Sequence, residues 1–260
     1  MNIILNIFLL SIPARLKKRI AYLLSKYSKI FFESYLFQNI DFSLDKEISC
    51  LLELPVNFKN VIDGGANVGN WTECLLKQVN TIENLLLVEP NPSLKKLLVE
   101  KFSENSKIKF CFNALGHRDA VGFISYEKGF ESHGYITGTT RNNNINSEIS
   151  IKALDSIINK LGWGEIDLVK LDLEGFDYFA LLGLEESLDK GLIKVIQFEV
   201  TRAWEKSCCS PQNAFQFLSK KNFTIFQINN GKLEELKLNN LPNFTIFSNF
   251  IAVNRSVVDN

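Results

Sequence analysis

The sequence lacks the features that mark several common classes of protein. Basic and acidic side chains are equal in number, 29 of each, so the chain as a whole offers no electrostatic argument for nucleic-acid binding. Its five cysteines are irregularly spaced and form no CxxC pair, which supports neither a disulfide framework nor a zinc site. We therefore predict reduced thiols in a cytoplasmic protein without a nucleic-acid partner.

Long apolar runs are also missing. The N-terminal run, Ile3–Ile12, is about half of the ~20 residues that span a bilayer, and Pro13 ends it. Positive charge follows this run instead of preceding it, the reverse of a secretory signal peptide. Beyond Pro13, apolar residues recur on one helical stripe and lysines lie off it. These patterns predict a basic, amphipathic helical extension over residues 1–50, followed by one domain over residues 51–260.

Two interpretations of the extension stay open. Residues 1–40 carry six basic side chains and one acidic side chain. The helix could pack its apolar stripe on the domain and leave its lysines in water. Alternatively, residues 1–32 could lie on an anionic membrane surface and make the protein peripheral at the inner face of the membrane. The sequence indicates no oligomeric state.

From residue 58 onward, short apolar segments alternate with helical patterns. Continuous apolar runs predict strands that are buried on both faces, so the alternation predicts an α/β fold with helices on both faces of a parallel sheet. Residues 121–127 predict an added antiparallel strand, whereas the polar stretch 129–147 predicts a long loop. Two late apolar segments, 223–229 and 244–253, predict strands that could form a hairpin.

Ligands of such sheets bind beyond the carboxyl ends of the strands. Polar residues that end the predicted strands are therefore the first candidates for a site. They are Asp63, Glu89, Asn113, Asp172 and Glu199.

The turn after the first predicted strand reads DGGANVG, residues 63–69. Gly65 permits a backbone turn that a Cβ would obstruct, and Gly69 lets the next helix approach the sheet and a ligand closely. Free N–H groups at that helix start suit a carboxylate as well as a phosphate. The dinucleotide fingerprint GxGxxG and the phosphate loop GxxxxGKS/T are both absent. Glu89, twenty residues after Gly69, can accept both hydroxyls of a ribose, so the pattern favours a nucleoside without phosphates, such as S-adenosylmethionine.

Four segments in chain order, IDGGANVGNWT, LLLVEPNP, FNALG and LVKLDLEGFDYFALLG, resemble the FkbM-type S-adenosylmethionine-dependent methyltransferases. The resemblance covers residues 58–202. It implies the class I methyltransferase Rossmann-like fold, a mostly parallel seven-stranded sheet with a reversed last strand and helices on both faces. It also implies which residues hold the methyl donor. The residues that border its methionine part would be Asp63, Gly65, Asn67 and Gly69. Glu89 would hold its ribose. Asn113 and Ala114 would lie near its adenine.

A second candidate cluster, KLDLEG, ends a predicted strand at the same edge. Lys170, Asp172 and Glu174 share one face because side chains alternate along a strand. We predict that Asp172 and Glu174 are catalytic, with Asp172 beside the methyl donor or the acceptor hydroxyl. Lys170 and Glu199 are predicted to bind substrate, and the alternative for Lys170 is a buried ion pair with one of the acids. His133, in the polar loop, is a further candidate base because histidine titrates near neutral pH.

The resemblance implies methyl transfer. The family's association with cell-surface glycans and secondary metabolites favours O-methylation of a hydroxyl on a sugar, a glycan or a related metabolite. Trp204 could stack on a sugar ring or pack in the core. Asp172 and Glu199 could hold a divalent ion, but no third ligand clusters with them, so we predict no metal. Two alternatives stay open: an NAD(P)-dependent Rossmann oxidoreductase, and a non-catalytic cofactor-binding module of the same fold.

Overall fold

The structure is a computed structural model that describes residues 43–126, 135–137, 145–201, 203–207, 209–237 and 247–258. The chain divides into two units, Met1–Phe42 and Ser43–Asn260, and every described residue belongs to the second unit. The second unit begins with helix α1, Leu44–Leu52, so the boundary predicted at residue 50 falls inside this helix. Most of the predicted extension lies outside the described residues.

The described strands are β1 (Asn60–Gly64), β2 (Asn84–Val88), β3 (Ile108–Cys111), β4 (Ala114–Leu115), β5 (Ala120–Tyr126), β6 (Tyr135–Thr137), β7 (Ile145–Lys152), β8 (Ile166–Leu171), β9 (Ile193–Thr201), β10 (Phe223–Asn229), β11 (Lys232–Glu235) and β12 (Phe247–Asn254). Eight of them form one sheet in the order β11-β10-β12-β9-β8-β1-β2-β3. Pairing from β3 across to β9 is parallel, and β12 runs antiparallel to both of its neighbours. This order confirms the predicted Rossmann-like fold with a reversed strand, to which β11 adds an eighth strand.

The remaining described helices are α2 (Asn70–Gln78), α3 (Pro92–Phe102), α4 (Leu154–Leu161), α5 (Asp177–Leu182), α6 (Glu185–Asp189), α7 (Ala203–Lys206), α8 (Pro211–Lys220) and α9 (Arg255–Val258). Helix α3 shows why they begin where they do. The Asn91 side chain accepts a hydrogen bond from the N–H of Ser93 at 3.0 Å, and Pro92 occupies the first turn. Across the described ranges, each helix is either too short or too polar to cross a bilayer.

A second sheet corrects the prediction of one long loop over residues 129–147. Strand β6 lies within that stretch and β7 begins in it, and the sheet order is β4-β7-β5-β6. Strand β7 pairs antiparallel with β5, which is the added strand that the sequence predicts. In β7, Glu148 is exposed and Ile149 is buried. The polar composition of this stretch predicts a loop. The strand forms because its backbone hydrogen bonds come from a partner about 25 residues away in the chain, which local composition does not indicate.

The two late strands, β10 and β12, do pair antiparallel. The tight hairpin, however, joins β10 to β11 through Asn230 and Gly231, both with positive φ (50° and 74°). Strand β12 pairs with the other side of β10.

Alternation along the central strands positions the site. Val61, Leu168 and Val195 belong to the hydrophobic cluster on the face that α1, α2 and α3 cover. In each of these strands, the residue two positions further toward the carboxyl end lies on the same face. The residues at those positions pair in register across β1, β8 and β9, and they are Asp63, Lys170 and Gln197.

Candidate active site

The turn between β1 and α2 lies against the carboxyl end of β8. The N–H groups of Gly65 and Ala66 both donate to the carbonyl oxygen of Val88, at 2.9 and 3.0 Å. Gly65 has a φ of 77°, and a Cβ there would lie 1.9 Å from the carbonyl oxygen of Asp172. This position therefore requires glycine, and the turn brings a candidate cofactor loop against the candidate catalytic residue.

Helix α2 begins at the far side of this turn. Gly69 has a φ of 78°, and a Cβ there would lie 2.4 Å from the Phe102 ring on α3. Among the residues that the structure describes, no side chain caps the first turn of α2. The N–H groups and the positive end of the helix dipole are thus available to an acidic group of a ligand.

Glu89 joins two loops at the end of β2. Its Oε2 accepts a hydrogen bond from the N–H of Asn67 and its Oε1 accepts one from the N–H of Asn91, both at 2.8 Å. Burial raises the pKa of the Glu89 carboxyl group above its ordinary value, although these two bonds oppose the shift. Each carboxylate oxygen has a second lone pair, so Glu89 can still accept a hydroxyl hydrogen.

A buried row of side chains runs below the turn. The Nζ of Lys170 lies 3.2 Å from Asp63 Oδ1 and 3.6 Å from Asp172 Oδ2. It also donates to the carbonyl oxygen of Gly65 at 3.3 Å. The hydroxyl of Thr72 donates to Asp63 Oδ2 at 2.6 Å. We call Asp63, Lys170 and Asp172 the ionic row, because Lys170 ties the cofactor loop to both acids.

Lys170 is only 6% exposed, so its charge depends on these partners. Burial alone would lower the pKa of the Lys170 ammonium, but the charges of Asp63 and Asp172 outweigh it and the pKa is raised. These contacts favour the ion pair over a direct substrate contact for Lys170. The Trp71 ring centroid lies 5.8 Å from this ammonium. Among the described residues, the buried indole N–H of Trp71 meets no acceptor, which fits a turn that receives an oxygen-bearing ligand.

The turn after β8 holds Glu174 in a strained conformation. Its φ is 52°, which costs a non-glycine residue about 1–2 kcal/mol, and Gly175 follows at 92°. Ser207 donates to the carbonyl oxygen of Gly175 at 2.7 Å, which anchors this turn to the segment after β9. Asp177 is buried at the start of α5, and burial and then the charge of Asp172 raise its pKa to about 7. Strain and buried acids together are typical of functional sites.

Glu199 lies on β9, next to this acidic region. Burial, and then repulsion from Asp172 and Asp177, raise the pKa of the Glu199 carboxyl group. Trp204 follows it, but its indole N–H donates to the Glu199 carbonyl oxygen at 2.9 Å and its ring packs on Phe198. At 1% exposure, Trp204 is a core residue and not a stacking surface for a sugar.

The residues predicted near adenine follow β3. The Cys111 thiol donates to Asn113 Oδ1 at 3.2 Å, and Asn113 is half-buried. Ala114 is fully buried in the second sheet, where it pairs with Ile151. Their role at adenine stays a prediction, and His133 lies outside the described residues.

Four polar residues at this edge were not predicted from the sequence: Glu47, Thr72, Asp177 and Gln197. Thr72 and Asp177 lie within the quoted segments but are given no role there, and a search of the first helical turn after each strand would have found them. Glu47 and Gln197 carry no local signal. Within the described residues, no three or more His, Cys, Asp or Glu side chains group so as to hold a metal ion.

The fold is that of the class I methyltransferases: a mostly parallel sheet with one reversed strand, and a glycine turn at the carboxyl end of its first strand. A model of the methyltransferase FkbM domain matches residues 63–225, which is more than half of the chain. The chain therefore belongs to the FkbM methyltransferase family, and the resemblance in the four segments is confirmed. Membership implies S-adenosylmethionine as the methyl donor and argues against the oxidoreductase alternative.

Solved structures with a similar fold are distant in sequence. Methyltransferase FkbM from Methylobacillus flagellatus KT is 12% identical with a TM-score of 0.49, and the alignment covers 76% of this chain and 44% of that one. Spermidine synthase from Thermotoga maritima is 12% identical (TM-score 0.46; 84% and 61% covered). TrmK from M. capricolum, in complex with S-adenosylhomocysteine, is 13% identical (TM-score 0.45; 83% and 68% covered). The chain thus spans less than half of the first structure, and the comparison with curated proteins gives no match.

Glu89→Ala is expected to weaken binding of S-adenosylhomocysteine by about 1–3 kcal/mol, or roughly 5- to 150-fold, because hydrogen bonds to a charged group are lost. Isothermal titration calorimetry measures this directly. Glu83→Ala is the matched control, since Glu83 is exposed before β2 and pairs with Lys59. Unchanged affinity in Glu89→Ala would mean that Glu89 only ties the two loops together.

Proposed function

We propose that this protein transfers the methyl group of S-adenosylmethionine to a hydroxyl on a sugar, a glycan or a related metabolite. One observation carries the proposal. The backbone of Asp172 lies directly against Gly65 of the cofactor turn, while its carboxylate is 44% exposed at the open edge of the sheet. A partly exposed carboxylate beside the cofactor loop is where an acceptor hydroxyl needs a base.

The residues present fit the methyl donor. We infer that Asp63, Gly65, Asn67 and Gly69 border its methionine part, with the uncapped start of α2 facing its carboxylate. Glu89 would accept the ribose hydroxyls, and Asn113 and Ala114 would lie near the adenine. When bound, the donor supplies a methyl group that its sulfonium makes electrophilic.

In this proposal Asp172 takes the proton of the acceptor hydroxyl as that oxygen bonds to the methyl group. Lys170 holds the Asp172 carboxylate in position, 3.6 Å away, and keeps its own charge through Asp63. Glu174 and Glu199 orient the acceptor, and the strain at Glu174 supports a functional role for that residue. His133 remains a second candidate base. Alignment of donor and acceptor supplies much of the remaining catalysis.

We call the region around Asp172, Glu174, Asp177 and Glu199 the acidic mouth, and its charge supports an acceptor without phosphates. Four acids face or lie beside it, and Lys170, the described cation next to them, is already paired with two carboxylates. The two solvent-exposed carboxylates, Asp172 and Glu174, repel the backbone of a nucleic acid, whereas burial raises the pKa values of Asp177 and Glu199 and favours their uncharged forms.

The test is an acceptor screen with S-adenosylmethionine labelled in its methyl group. Nucleotide sugars, lipid-linked glycans and hydroxylated small metabolites form one arm, and RNA transcripts form the other. Label in a glycan or metabolite, released as a methyl ether, supports the proposal. Label in RNA alone would overturn it. Binding of S-adenosylhomocysteine without any transfer would favour the non-catalytic module.

We also propose that the protein is cytoplasmic and that residues 1–32 bring it to the inner face of the membrane. The support is the amphipathic pattern and the excess of basic residues in this segment. Deleting residues 1–32 is expected to reduce co-sedimentation with anionic vesicles severalfold, since about 1 kcal/mol of binding free energy is lost for each basic residue near the surface. The circular dichroism of the domain should stay native-like. Neutral vesicles are the control, and equal sedimentation of both proteins with anionic vesicles would contradict the proposal.

A further inference from the structure

Glu47 reaches the site from outside the segment that the family model matches. It lies on α1, sixteen residues before that segment begins, and is only 8% exposed. Its Oε2 accepts a hydrogen bond from the Gln197 amide at 2.9 Å, and its Oε1 accepts one from the Asn249 amide at 2.7 Å. Both oxygens are thus held by neutral donors on two adjacent strands.

Those two donors are neighbours of site residues. Gln197 on β9 pairs in register with Lys170 on β8, and Asn249 on β12 pairs with Glu199 on β9. The side-chain oxygen Oε1 of Gln197 makes no hydrogen bond within the described residues, so Glu47 fixes the orientation of this amide. Glu47 therefore contacts the two residues that pair with Lys170 of the ionic row and with Glu199 of the acidic mouth.

A carboxyl group in this position acts through its charge. Burial raises the pKa of Glu47 to about 7, while Lys170 and the Gln197 amide oppose the shift and Asp172 adds to it. In return, Glu47 raises the pKa of Lys170 and of Glu199. The described ionisable groups that interact with it are Lys170 and Asp172 from β8 and its turn, Glu199 from β9, and Cys50 on α1 itself. A simple anchor for α1 would not need an ionisable group near four others.

We propose that Glu47 is a positioning residue of the acceptor site: its carboxyl group, clamped by Gln197 and Asn249, sets the charge balance at Lys170 and Glu199 without touching the acceptor. This inference rests on the proposed function, because it gives the acidic mouth a role in the reaction. It also means that α1 completes a site whose other residues lie on or after strand ends.

The experiment is a carboxyl-carbon NMR titration of the full chain, wild type against Glu47→Gln. Removing one negative neighbour is expected to lower the titration midpoint of Glu199 by about half a pH unit or more. Glu53→Gln is the matched control, since Glu53 is exposed at the end of the same helix and should leave that midpoint unchanged. S-Adenosylhomocysteine should bind Glu47→Gln within about threefold of wild type, because the cofactor turn is intact.

An unchanged Glu199 midpoint in folded Glu47→Gln protein would overturn the proposal and leave Glu47 as a structural anchor. Should that variant not fold, Asn249→Ala removes one of the two amide donors and is the substitute. It is expected to raise the midpoint of Glu47 and lower that of Glu199, and no response at Glu199 would equally overturn the proposal. Failure of wild-type protein to bind S-adenosylhomocysteine would instead count against the proposed function, whatever the titrations show.

Discussion

Replacing Asp172 with asparagine is expected to lower methyl transfer by about 10²- to 10⁴-fold while S-adenosylhomocysteine binds within about threefold of wild type. Asparagine has nearly the same shape as aspartate but cannot take up the proton of an acceptor hydroxyl. The backbone contact between residue 172 and Gly65 does not depend on the side chain, so the cofactor turn should persist. Calorimetry with S-adenosylhomocysteine and initial rates with the acceptor from the screen measure the two effects separately.

Stability is the control for this variant. The Asp172 carboxylate is 44% exposed, and its distance to Lys170 is 3.6 Å, so the lost ion pair should cost less than about 1 kcal/mol. Asp189→Asn is the matched substitution, since Asp189 is exposed on α6 and pairs with Lys221. If Asp172→Asn protein unfolds or no longer binds S-adenosylhomocysteine, Asp172 is mainly a structural partner of Lys170.

Much of this edge of the sheet follows from local signals in the sequence. Continuous apolar runs end at Asp63 and Glu89, and both residues lie where those strands meet the ligand edge. Gly65 was predicted because a tight turn must follow Asp63, and the contact with Asp172 is the reason that no Cβ fits there. These predictions needed only strand period and turn chemistry.

The pairing between distant segments could not be predicted in the same way. Lys170 and Asp63 are partners only because β8 lies beside β1, and the sequence indicates that a parallel sheet forms but not its register. Glu47 meets Gln197 across 150 residues, and no local pattern announces such a contact. For the same reason the start of β7, residues 145–147, is predicted as part of a loop: its polar composition is local, whereas its pairing with β5 is not.

Lys170→Met is expected to destabilise the protein by on the order of 3–5 kcal/mol, the cost of leaving a buried charge without its partner. Asp63 is fully buried and would keep only the hydroxyl of Thr72, at 2.6 Å, as a hydrogen-bond partner among the contacts described above. Asp172, at the exposed end of the row, can turn to solvent and contributes less. Urea unfolding at neutral pH, compared with wild type, gives the difference in free energy directly.

Lys194→Met is the matched control. Lys194 also pairs with two acids, Glu165 and Asp167, but it is 32% exposed at the opposite end of the sheet. Its loss should cost no more than about 1 kcal/mol, because water can replace a partly exposed partner. A similar loss of stability in Lys170→Met and Lys194→Met would mean that burial of the ionic row contributes little to the free energy of unfolding.

A second substitution in the ionic row, at Asp63, distinguishes the effect of the unpaired charge on stability from the effect of lost packing. Adding Asp63→Asn to Lys170→Met removes the stranded charge and should recover part of the lost stability, so the two effects should not add. Acidification should act in the same direction. A buried carboxyl group destabilises the folded state only while it is charged, and the deficit of Lys170→Met relative to wild type should narrow as the pH falls. A deficit that neither the second substitution nor low pH reduces would assign the effect to the packing of the Lys170 side chain and not to its charge.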